Sequence, residues 1–158
     1  MLNLARFPVG DPRIFVSYET LRIDPTYRRL HPAHAWLNMM LRDQETAILV
    51  GDAQPFDVKG RVYYNTCFDD TWLEQLIDGK AADEAVAELQ RRRIRYVFVH
   101  WSELRRYRSP GNYGYSEYPT HERLEQLVKD GVLSRTDVIV GQVGLRPQSG
   151  EMYVVNWK

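Results

Sequence analysis

A chain of 158 residues with 44% hydrophobic and 27% charged side chains is long enough to bury one real core and too short for two, and this composition excludes the disordered, collagen-like and coiled-coil classes. Lys+Arg and Asp+Glu stand at 21 each, which removes the general basic field of a nucleic-acid binder, so no nucleic-acid partner is expected and any anion site must be local. No apolar run reaches the roughly 20 residues needed to cross a bilayer. The opening MLNLARFPVGDPR lacks the apolar centre of a signal peptide, and the single Cys67 excludes an intrachain disulfide and a cysteine-based zinc site.

Residues 1–30 carry Pro8, Gly10, Pro12 and Pro25 among short apolar pieces and read as an extended lead-in or linker, leaving 31–158 as a single domain. PAHAWLNMML sets Ala33, Trp36, Leu37, Met40 and Leu41 at helical spacing, with Pro32 suited to the first turn. TAILVGD then runs without a polar residue from Ala47 to Val50 and stops at Gly51, as a strand covered on both faces does. RVYYNTCF reads as a second strand, and DDTWLEQLIDG as a helix with Thr71 and Glu74 in capping-box spacing and Gly79 as its stop. AADEAVAELQRRRI is helical, with acids in its first turn and arginines in its last to match the helix dipole. RYVFVHW is a third apolar strand, parallel to the second by a strand, helix and strand crossover.

A loop rich in tyrosine, RRYRSPGNYGYSEYP (105–119), leads to the helix THERLEQLVKDGVL. TDVIVGQVGL and EMYVVNW, separated by RPQSG, favour an antiparallel hairpin. The predicted fold is therefore α/β: a small three-layer, Rossmann-like domain whose mixed, mainly parallel sheet ends in that hairpin. The word LEQL occurs at 73–76 and 124–127, but nothing around it repeats.

Strand ends concentrate the candidate chemistry. Asp52 follows Gly51 at the carboxyl end of the first strong strand, where open α/β sheets bind ligands, yet AQPFDVKG carries neither phosphate-binding glycine motif, so a plain turn is favoured over a nucleotide site. His100 closes the third strand beside Ser102 and Glu103; adjacency cannot make these a triad, and a structural histidine with its hydrogen bonds satisfied is expected. His31 and His34 are three apart, but Pro32 sets His31 at or before the helix start and no further ligand stands nearby in the sequence, so no metal is expected. Cys67 reads as a buried packing cysteine.

Seven arginines lie between Arg91 and Arg108, including Arg105, Arg106 and Arg108; they form either an anion-binding patch or a solvated helix end with scattered salt bridges. In the loop, Asn112, Tyr113 and Tyr115 suit stacking on sugar rings or on a partner protein, and equally suit an ordered lid over the core. The candidate ligand-binding set is thus Asp52, His100, Glu103, Arg105, Arg106, Arg108, Asn112, Tyr113 and Tyr115, with no catalytic residue and no cofactor among the expectations.

The order of these pieces, HPAHAWLNMML then TAILVGDAQPFDVKGRVYYNTCFDDTWLEQLI then ELQRRRIRYVFVHWSELRRYRSPGNYGY, resembles the soluble tail domain that follows the membrane helices in some bacterial protein-mannosyltransferase-like glycosyltransferases. Residues 31–118 carry the likeness. In that family the catalytic acids lie in extracytoplasmic loops between membrane helices, so none transfers to this chain. The resemblance implies a non-catalytic domain outside the cytoplasmic membrane, attached through helices of its parent, that recognises an acceptor glycan, a lipid-linked sugar head group or a partner protein. Without it the residues allow a free-standing cytoplasmic α/β enzyme or nucleotide-binding protein, or a docking module.

Overall fold

The computed structural model describes residues 31–140 and 150–157. The 1–30 lead-in and residues 141–149, which include all of the RPQSG turn but Gly150, lie outside the described residues. Helix α1 (Pro32–Met40) is followed by strand β1 (Thr46–Val50), a single 3-10 turn (Pro55–Asp57) and β2 (Arg61–Tyr64). Helices α2 (Trp72–Ile77) and α3 (Ala82–Arg91) lead to β3 (Ile94–Val99); α4 (Trp101–Arg108) and α5 (His121–Lys129) precede β4 (Leu133–Val140) and β5 (Gly150–Val155).

The sheet order is β2-β1-β3-β5-β4, with β1 parallel to both β2 and β3 and β5 antiparallel to both β3 and β4. This is the α/β class with the mixed sheet and terminal antiparallel pair expected from the sequence. Alternation along the strands sorts the core onto two faces. Ala47, Leu49, Tyr96, Phe98 and Met152 meet Ala33 and Leu37 of α1 on one side. Ile48, Val50, Val97, Val99, Tyr153 and Val155 meet the buried side chains of α2, α3, α4 and α5 on the other. Three layers result, and β1, covered on both faces, is buried at all five positions.

Two local expectations change. Thr71 stands at the α2 N-cap, but its hydroxyl makes no cap bond; it donates to the Tyr118 carbonyl at 3.3 Å, so the capping box gives way to a tie on the tyrosine loop. The RRYR end of that loop is helical, because Trp101 and Leu104 bury one side of α4 while Trp101 Nε1 donates to Glu151 at 2.7 Å.

Candidate functional site

The strand order reverses at β1: the chain leaves it toward β2 on one flank and returns as β3 on the other. Such a switch point opens a crevice at the carboxyl ends of the two central strands. Asp52 lies just past the end of β1 and His100 just past the end of β3, and the His100 amide donates to the Val50 carbonyl at 2.8 Å. Gly51 makes the turn possible, since its φ of +75° belongs to the left-handed region and a Cβ there would meet Leu104 Cγ at 2.8 Å.

The N-terminus of α1 closes the crevice. His34 falls on the same buried stripe as Ala33 and Leu37 and places Nε2 2.7 Å from Asp52 Oδ2. Asp52 Oδ1 accepts from the Gln54 amide at 3.0 Å. Burial alone would raise the Asp52 pKa, but these hydrogen bonds and the neighbouring His34 and His100 rings outweigh it and hold the carboxyl below its ordinary value. Burial lowers the pKa of His100 below its ordinary value, against the pull of Asp52 and Glu103. The His31 ring stands 5.2 Å from that of His34 and 5.0 Å from that of His100.

His31, His34 and Asp52 therefore each bring a ligand atom within 4.8 Å of the others. The expectation that the two α1 histidines lack a further ligand is corrected: Asp52 and His100 reach them through the fold. His100 is not the satisfied structural histidine expected either, because its buried Nε2 has no hydrogen-bond partner among the described residues.

Glu103 and the arginine candidates are held by partners of their own. Glu103 is bound by Arg106 within α4, through Nε at 2.9 Å and Nη2 at 2.6 Å, and the guanidinium lies 4.1 Å over the Tyr107 ring. Arg105 is exposed on the same helix. Arg108 donates to the Ser116 carbonyl at 2.7 Å and to that of Pro119 at 3.4 Å, which pins the loop. Upstream, Arg91 and Arg92 pair with Glu88, Arg93 meets Gln44, and Arg95 donates to the Val155 carbonyl and lies over Trp157. The arginines are thus dispersed among local partners. Cys67 is half-buried in a turn, not a packing cysteine of the core.

The tyrosine loop divides by function. Tyr115 and Tyr118 pack against the larger core. The Tyr115 hydroxyl accepts from Asn65 Nδ2 at 2.5 Å and from the Gly51 amide at 3.4 Å, so the loop is tied to the turn that carries Asp52. Burial raises the Tyr115 pKa, and the group stays a neutral phenol at physiological pH. Tyr115→Phe should cost about 1 kcal/mol by removing the acceptor shared by the Asn65 and Gly51 amides, although Asn65 Nδ2 keeps the Thr66 and Asp69 carbonyls, read as a lower urea midpoint at unchanged slope; an unchanged midpoint would show that the bond contributes nothing.

Tyr113 is different: it is 79% exposed and meets Phe68, 75% exposed, at 5.5 Å in an edge-on arrangement. Asn112 binds Ser109 beside it. Phe68 escaped the sequence reading because RVYYNTCF reads as one continuous strand, whereas the strand stops at Tyr64 and Asn65 to Asp69 form a hydrogen-bonded turn.

No helix of the described residues is long and apolar enough to cross a membrane. No protein-family model and no curated protein sequence matches the chain. Among solved structures, the chain is similar to the crystal structure of the C-terminal globular domain of an oligosaccharyltransferase from Archaeoglobus fulgidus, at 15% identity and a TM-score of 0.43, over 78% of this chain and 94% of that one.

Proposed function

We propose that this chain is a non-catalytic recognition domain of a membrane-bound glycosyltransferase, and that it meets glycan through Phe68 and Tyr113. The observation that carries the reading is the exposed aromatic pair: two large rings, three-quarters or more in solvent, held 5.5 Å apart on two separate loops. Single exposed aromatics are common, but a paired platform exposes contiguous apolar area that a partner can cover. The apolar C–H face of a sugar ring fits such a platform, while neighbouring polar groups such as Asn112 take its hydroxyls. The resemblance of residues 31–118 to the tails of protein-mannosyltransferase-like enzymes supports the same reading. It would put the domain on the extracytoplasmic side, beside the mouth of its parent's active site.

The test is a glycan array of mannose-, glucose- and N-acetylhexosamine-containing oligosaccharides probed with the domain. A subset should be retained, and Phe68→Ala or Tyr113→Ala should each weaken that binding about tenfold, roughly 1.4 kcal/mol, without lowering the melting temperature. Retention of no glycan, or binding indifferent to both substitutions, would overturn the proposal.

A further inference from the structure

Three of the four histidines in the chain converge on one buried carboxylate, although no sequence motif groups them. A hydrogen bond between His34 and Asp52 accounts for His34 Nε2 and one carboxylate oxygen. It leaves His34 Nδ1 and His100 Nε2 buried without a hydrogen-bond partner among the described residues. Buried polar atoms are almost always partnered, so the unmatched His100 Nε2 beside this aspartate calls for a cause. Asp52 is only 7% exposed, and a buried anion is ordinarily paired or bound to a metal.

We propose that His31, His34 and Asp52, joined by His100, bind a divalent cation of the zinc class. Imidazole nitrogen with one carboxylate is a borderline donor set, which favours Zn2+, Co2+, Ni2+ or Cu2+ over the oxygen-seeking Mg2+ and Ca2+. Around a tetrahedral zinc with bonds near 2.0–2.1 Å, ligand atoms stand roughly 3.3 Å apart. The ligand atoms of His31, His34 and Asp52 all lie within 4.8 Å of one another, so the set must draw in by up to about 1.5 Å to hold such an ion.

His31 is the ligand nearest the surface. It is half-buried at the N-cap of α1, where its Nδ1 accepts the Ala33 amide at 3.3 Å, a long bond to give up, and the neighbouring Pro32 has no amide to lose. The same exposure gives an ion a way in. His34 and Asp52 are held by the core and the Gln54 amide and supply the fixed side of the site. His34 would take the ion through Nε2, in place of the proton now shared with Asp52 Oδ2 at 2.7 Å. This site is separate from the Phe68 and Tyr113 surface and does not depend on the glycan reading.

The experiment uses the EDTA-dialysed protein carrying Cys67→Ser, so that no thiol competes, titrated with Zn2+ by calorimetry and with Co2+ by visible absorption. One equivalent should bind per chain, with a higher melting temperature. In proton NMR the imidazole signals of His31, His34 and His100 should shift with Zn2+, while that of His121, stacked on Trp101 at 3.8 Å, should not. His31→Asn keeps a side-chain acceptor at the helix cap and removes the ring; it should lower affinity a hundredfold or more while the chain still folds, and His121→Gln should change nothing. Absence of equimolar binding, shifts confined to His121, or affinity unchanged in His31→Asn would each overturn the assignment.

Discussion

Gly51→Ala should destabilise the domain by about 2–4 kcal/mol and lower its melting temperature by roughly 10 °C. Two costs add at this position. A φ of +75° is open to glycine but costs a residue with a Cβ on the order of 1–2 kcal/mol. The new methyl would also lie 2.8 Å from Leu104 Cγ and 3.1 Å from the His100 carbonyl, inside the packed junction of β1, β3 and α4. Overpacking of that kind adds roughly 1–3 kcal/mol.

Gly79 separates the two costs. It has nearly the same φ, +70°, but nothing lies within 4 Å of the point a Cβ would occupy, so Gly79→Ala should show the backbone cost alone. Urea unfolding of both variants gives the packing cost as a difference. If Gly51→Ala is no worse than Gly79→Ala, Leu104 yields freely and the crevice is softer than its burial implies. If it is worse, the turn that presents Asp52 is held rigidly by the core beneath it.

Much of the scaffold was legible because strong periodicities coincide with strong punctuation. Ala47 to Val50 ends at a glycine that must turn, and Ala85, Val86 and Leu89 form a clear stripe between acidic and basic ends. Helix α4 was hidden for a physical reason. It buries only Trp101 and Leu104, its N-cap His100 makes no side-chain cap bond, and it follows an apolar strand whose end absorbs its first residue. Thr71 carried a valid capping signal that tertiary structure redirected to the loop.

The histidine cluster was legible only in fragments. His34 sits on the α1 stripe with Ala33 and Leu37, a spacing that marks it as buried and could have drawn notice to it. Its partner Asp52 is 18 residues away, and His100 arrives only because β3 pairs with β1 on the side opposite β2. Neighbourhood in sequence pointed instead to Ser102 and Glu103. Glu103 is taken by Arg106 on its own helix, an i,i+3 ion pair that α4 creates and that no reading of those residues as a loop contains.

The second large effect is expected at that cluster in the metal-free state. Asp52→Ala, measured with EDTA present, should cost about 3 kcal/mol, because it strands the buried His34 Nε2 and frees the Gln54 amide. Asp52→Asn keeps the shape and one acceptor, and should cost roughly 1 kcal/mol. A cavity would follow Asp52→Ala whatever His34 does, so the single variant does not isolate the pair. The double-mutant cycle with His34→Leu does: once the imidazole is gone there is no polar atom left to strand, and losses from Asp52→Ala and His34→Leu should fall short of additivity by at least about 1 kcal/mol. Strict additivity would mean that the 2.7 Å contact contributes nothing to folding, and that Asp52 acts on the fold through the Gln54 amide and packing alone.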